Sequence, residues 1–247
     1  HVKAYEIIHE HQPRAKVGYA KHIHLFDSAH PGRWVDDAAA KAVDYFFNEG
    51  PLTAFWHGRM PSPFRRPSKK KGGEWLDFLG LNYYSRSMVT FDPRHGEEFF
   101  IRRFPNPTSD FSMEGWGEIY PHGLYRALKR LSAYDLPLYV TEFGVPDNED
   151  TVRPRFIVEH VAALHRALEE KIPVRGAYFW SLVDNFEWHE GWQARFGLIH
   201  LDPTTQERRP KYSARVYQRI ANENALDREL VSDVAPNLAA SLFDGQQ

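Results

Sequence analysis

The chain has 247 residues, 42% of them apolar, a formal net charge of −2 and no cysteine. That balance allows a core in one or two domains and suggests neither a disordered segment nor a nucleic-acid surface. Disulfides and thiolate metal sites are excluded. No apolar run reaches the ~18 residues that span a bilayer, and no export signal opens the sequence, so a cytoplasmic protein is the expectation.

Strand and helix signals alternate along the chain. Residues to about His11 read as the end of a helix, and Val17–Ile23 is a short β-prone run. The helix expected at about 35–48 carries Ala39, Val43, Phe46 and Phe47 at helical spacing. A second β-run covers Phe78–Tyr84, and the helix after it puts Leu124, Leu128 and Leu131 on one face. Between them Met88–Asp92 and Glu98–Arg103 can pair as a hairpin around Pro93–Gly96. The third unit joins Leu138–Glu142 to a helix with Ile157, Val161, Leu164 and Leu168 in step. The fourth runs from Val174 to Leu182 and ends in a helix at about 211–222. Such alternation predicts a parallel sheet with helical crossovers. The basic stretch Arg65–Gly73 reads as a solvated loop, and the last twenty residues as an aperiodic tail packed on the outside.

Polar and aromatic groups gather at the ends of three successive strands. Asn82 and Tyr84 close the second run and Glu142 closes the third. The segment Trp180-Ser181-Leu182-Val183-Asp184-Asn185-Phe186-Glu187-Trp188 extends the fourth. A carboxylate at the C-terminal end of a parallel strand stands where barrels and open sheets place their chemistry. Two tryptophans bracketing two carboxylates and an amide suit a sugar-binding floor. Indole faces stack on the C–H faces of pyranose rings, while carboxylates and amides bond ring hydroxyls. His22 and His24 share a strand face and read as hydrogen-bonded pocket lining rather than as metal ligands, since no third ligand stands at suitable spacing.

Three ordered segments, Phe78–Tyr84, Tyr139–Gly144 and Trp180–Trp188 with Arg195-Phe196-Gly197, resemble glycoside hydrolase family 1. The resemblance implies an α/β fold, the (β/α)8 TIM barrel of β-glucosidases and related β-glycosidases, and retention through a covalent glycosyl-enzyme. Carried over by residue, it implies that Glu142 is the nucleophile and that Tyr84 hydrogen-bonds it. It further implies that Glu187 and Trp188 bind glycone hydroxyls, Trp180 is the stacking platform, Phe196 an apolar wall and Asn82 a support beside Tyr84. Phe143 departs from the family's Asn after the nucleophile, which alters only the local hydrogen bonding. No cofactor and no metal are implied.

The resemblance aligns these residues with strands 5–8 alone, a half barrel over 1–226 followed by the tail 227–247. The family's acid/base motif, Thr-x-Asn-Glu-Pro, does not occur in the sequence. A retaining glycosidase needs that second carboxyl ~5–5.5 Å from the nucleophile. Four strands alone leave two unpaired edges and one apolar helix layer exposed. The expectation is therefore a β-glycosidase that works on a β-glycoside substrate once completed by an N-terminal half-barrel chain, or by a second copy of itself. The alternative is a non-catalytic half-barrel scaffold that binds sugar weakly or not at all. No nucleic-acid or membrane partner is expected.

Overall fold

The structure, a computed structural model, describes residues 1–58, 73, 75–112 and 116–244. Helix α1 (Val2–His11) leads to strands β1 (Gly18–His22) and β2 (Leu25–Ser28). Helix α2 (Trp34–Asp44), a π-helical turn (Tyr45–Glu49) and helix α3 (Gly50–His57) follow. Strands β3 (Phe78–Tyr83), β4 (Arg86–Phe91) and β5 (Ile101–Phe104) precede helix α4 (Pro121–Leu131). Then come β6 (Leu138–Phe143), α5 (Arg153–Glu169) and β7 (Val174–Phe179). A hairpin of β8 (Ile199–Leu201) and β9 (Arg208–Pro210) enters α6 (Tyr212–Glu223), and α7 (Arg228–Val234) and α8 (Pro236–Ala239) close the described chain before a last π turn.

The four anticipated strands form one parallel sheet in the order β1-β3-β6-β7. Side chains alternate across it, and one face is buried by helices. Leu79, Leu81 and Tyr83 of β3 and Leu138, Val140 and Phe143 of β6 all point into the main core. Leu124, Leu128 and Leu131 of α4 pack there, each at most 1% exposed. Helix α5 uses the expected face except at its end, Val161 and Leu164 packing against the main core. Ile157 is buried as well, but Leu168 is 47% exposed, and Phe156, Val158 and His160 join the core. Aromatic packing holds Phe156 and His160 there: Phe156 stacks on His160 at 3.8 Å and lies near Phe143.

The register shifts between β3 and β6 and again at two places between β6 and β7, and the first of these matters. Leu81 pairs with Val140 while the next residue, Asn82, pairs with Glu142, so Thr141 is an extra residue in β6. A bulge of this kind re-aims the side chains beside it. Thr141 and Glu142 consequently both stay out of the core, although they are adjacent in sequence.

Other expectations need correction. The helix after β1 starts at Trp34 and continues through the π turn to His57, with Phe46 75% exposed rather than on a buried face. The hairpin exists, but its second strand begins at Ile101, because Phe99 and Phe100 adopt left-handed φ values of 56° and 63°. Strand β2 had no sequence signal and pairs in parallel with β4. The C-terminal residues form short helices whose Leu230, Val231, Ala235 and Ala239 join the main core. Helices of 7 and 4 residues are too short to show periodicity. Residues 65–72 of the basic stretch lie outside the described residues.

Among the described residues β1 and β7 are the edges of the sheet. The exposed layer differs from the one expected. Helices α4, α5 and α6 bury residues against the sheet, whereas the opposite sheet face leaves Ala20 and Tyr178 exposed.

Candidate functional site

Glu142 leaves the sheet at the C-terminal end of β6, turned out of the core by the bulge. The hydroxyl of Tyr84, just past β3, donates to its Oε2 across 2.6 Å. Burial, that hydrogen bond and the nearby charges of Glu142 and Glu187 push the Tyr84 phenol above its ordinary value. Tyr84 therefore remains a donor across the working pH range. Asn82 sits one step back. Its Oδ1 accepts from Thr141 Oγ1 at 2.6 Å, which ties β3 to β6 beneath the carboxylate.

Above this pair lies a cleft of about 460 Å³ that Tyr84, Glu142, Trp180, Glu187, Trp188 and Phe196 all line. Trp180 is held at the end of β7, where its N–H donates to Phe143 O at 2.8 Å. Gly144 permits this approach, since a Cβ there would lie 2.0 Å from the Trp180 carbonyl oxygen. Glu187 is only 8% exposed, and its Oε2 accepts from Asn185 Nδ2 at 3.0 Å. Asn185 in turn accepts from Ser181 Oγ at 3.1 Å, so a short polar chain orients Glu187. Phe196 is buried and meets Tyr84 and Trp116 edge-on. Trp188, 83% exposed, stands at the rim.

Asp184 does not join them. Its side chain is fully buried, accepting from Lys211 Nζ at 2.9 Å, Arg195 Nη1 at 3.2 Å and the Gly197 N–H at 2.8 Å. Burial alone would raise its pKa, but Lys211 and Arg195 outweigh that and hold it below the usual carboxylate range. Its place in a sugar-binding floor is thus corrected to that of an anchor for the loops after β7.

Two further cleft residues had no usable sequence signal. Trp116 and Glu118 come from the long segment before α4. Glu118 is buried and already engaged, by Arg86 Nε and by the Asn106 N–H at 3.0 Å. His22 and His24 both line the cleft, but they do not share a strand face, since β1 ends at His22 and His24 lies in the break before β2. His24 Nε2 contacts Ser87 Oγ at 2.8 Å, whereas the buried His22 Nε2 has no partner. Burial first, then neighbouring positive groups, lowers both rings to about 4, so both are neutral near pH 7. Among the described residues no three His, Cys, Asp or Glu side chains converge as a metal site, and no helix is long and apolar enough to cross a membrane.

The cleft thus offers one carboxylate held by a phenol, one held by an amide, one neutralised by an arginine, and aromatic walls. The sequence model of Glycosyl hydrolase family 1 matches residues 1–226. A β-galactosidase of Sulfolobus acidocaldarius is 42% identical over 166 residues, covering 63% of this chain and 33% of the relative. β-Glucosidase A of Thermotoga maritima is 31% identical, covering 92% of this chain and 55% of the relative. Among solved structures, a β-glycosidase from Pyrococcus horikoshii superposes with a TM-score of 0.83 at 36% identity, covering 94% of this chain and 54% of that one. The chain spans between a third and about half the length of the curated relatives it matches. With its parallel sheet, its strand-end carboxylate and a match over residues 1–226, this chain belongs to glycosyl hydrolase family 1.

Proposed function

We propose that residues 1–226 supply strands 5–8 of a (β/α)8 barrel and carry the nucleophile half of a retaining β-glycosidase, with 227–247 as an addition to it. Glu142 attacks the anomeric carbon of a β-glycoside, the C–O bond to the leaving group breaks, and a glycosyl ester forms that water later hydrolyses. The observation that carries this reading is the 2.6 Å hydrogen bond from Tyr84 to Glu142 inside an aromatic-walled cleft. Tyr84 keeps one carboxylate oxygen oriented and leaves the other for attack. Trp180 forms the floor for the ring, Glu187 and Trp188 bond its hydroxyls, Phe196 closes the apolar side and Asn82 supports the strand ends.

The acid that protonates the leaving oxygen comes from outside these 247 residues. Glu118 is paired with Arg86 and Glu187 is bonded by Asn185, so neither is poised to give up a proton. The complementary half is carried by further residues of a longer polypeptide, by a second chain, or by a second copy of this one. A cytoplasmic setting belongs to the same reading. The second reading, a half barrel that binds sugar without turnover, is favoured by that missing acid and by the exposure of Trp188.

A leaving group that needs no protonation separates the two. We expect a 2,4-dinitrophenyl 2-deoxy-2-fluoro-β-glucoside to leave one glycosyl residue on Glu142, located by peptide mass spectrometry, and Glu142→Gln to abolish the labelling. Absence of an ester on Glu142 in a chain that binds the compound assigns the protein to the non-catalytic reading.

A further inference from the structure

Helices α5 and α6 lie side by side over β7 and leave a gap between them. Val161, Leu164 and Leu168, one stripe of α5, line it from one side, and Tyr217, Ile220 and Ala221 of α6 line it from the other. The residues between cannot fill it. Ala177 of β7 carries only a methyl group and Gly176 no side chain, while Ala221 and Ala225 are as short on the far wall. The result is a cavity of about 390 Å³, within the ~300–1,000 Å³ of small-molecule sites. It shares no lining residue with the Glu142 cleft.

Leu168 shows the consequence. It continues the stripe that Val161 and Leu164 pack against the core, yet it is 47% exposed, because the small residues around the same space do not cover it. Apolar surface left in water gains free energy when an apolar ligand covers it. At its inner end the cavity reaches Phe143, 1% exposed and next in sequence to Glu142. The one hydroxyl in the lining is already engaged: Tyr217 donates to Ala177 O at 3.2 Å.

Polar groups stand on the exposed side, in His165, Arg175 and Asn224. His165 has an acidic neighbour, Glu169 at 3.8 Å. Arg175 has none; its guanidinium makes no hydrogen bond or ion pair with any described residue. A guanidinium presents two parallel N–H donors that match a carboxylate. An apolar cavity with one unpaired arginine at its mouth is therefore complementary to a chain-like molecule bearing a single negative charge at one end.

We propose that the cavity between α5 and α6 binds a free medium-chain fatty acid, of the class of octanoate and decanoate. The alkyl chain runs inward along Leu168, Leu164, Val161 and Ile220 towards Phe143, and the carboxylate pairs with Arg175. The site lies on the helix side of the sheet and does not depend on what the Glu142 cleft turns over.

The test titrates the 247-residue chain by calorimetry at neutral pH with butyrate, hexanoate, octanoate and decanoate, all below their micelle concentrations. We expect affinity to rise about two- to fourfold for each methylene. Decanol should bind about two- to fivefold less tightly than decanoate, the worth of one exposed ion pair. Arg175→Gln, a change at an exposed position, should remove that difference. Ala221→Phe, exposed on α6, should fill the opening and weaken decanoate by about tenfold or more. Decanol binding as tightly as decanoate to the wild type overturns the carboxylate assignment. Decanoate binding that neither variant alters puts the ligand elsewhere and overturns the site. An affinity that does not rise with chain length, or no binding across the series, overturns the proposal as a whole.

Discussion

The Tyr84 hydroxyl and Glu142 Oε2 lie 2.6 Å apart although the residues are 58 positions apart in sequence. Neighbouring parallel strands bring them together, and the extra residue in β6 sets the carboxylate at the right height. The hydrogen bond gives Glu142 a fixed direction and a donor that does not titrate away.

Replacing Tyr84 by Phe removes that donor while keeping the ring against Phe196. Hydrogen bonds to charged groups contribute about 1.5–3 kcal/mol. Tyr84→Phe is expected to slow formation of the fluoroglycosyl ester on Glu142 by about tenfold or more, with little change in unfolding free energy. Labelling at the wild-type rate refutes a positioning role for the phenol.

Asp184 joins three later parts of the chain through Lys211, Arg195 and the Gly197 N–H. Asp184→Ala leaves buried positive charge without its partner, which costs about 3–5 kcal/mol. Urea unfolding should show that loss as a lower midpoint at an unchanged slope. Because the folded carboxyl is held below its unfolded value, its stabilisation is present above the unfolded pKa and disappears as pH falls through the folded one.

His22 and His24 titrate near 4 and the buried His160 near 3, all below the ordinary histidine range because burial disfavours the charged ring. Between the unfolded value of roughly 6.5 and these folded values, the unfolded chain binds more protons. Stability should therefore be full above about pH 6.5 and fall towards pH 4, by on the order of 2–3 kcal/mol for each ring at most. Denaturation at pH 7, 5.5 and 4 measures it. The double change His22→Asn, His24→Asn should reduce the slope and leave the part due to His160; an unaltered slope contradicts the assignment.

A methyl group at position 144 would collide with the Trp180 carbonyl, which is backbone and cannot swing aside. Gly144→Ala should destabilise by about 1–3 kcal/mol, the usual cost of overpacking. It should also displace Trp180, read as a changed tryptophan emission spectrum. A variant with native stability and emission would show that the strand ends are looser than the structure has them.

The repeating strand and helix pattern, the faces of α4 and the strand-end positions of Tyr84, Glu142 and Trp180 were legible in the sequence. Each is a local property, set by hydrophobic period and chain punctuation over ten or so residues. Other features were decided by contacts between distant segments. Asp184 and Glu187 are three residues apart and chemically alike, yet one is an anchor and the other faces the cleft. The difference is made by Lys211 and Arg195, which reach only Asp184. The same holds for β2, whose partner β4 lies some sixty residues on, and for Glu118, neutralised by Arg86 across a loop. Periodicity records which side of an element is apolar, but a carboxylate's role depends on which charges surround it in space, and those are set by folding.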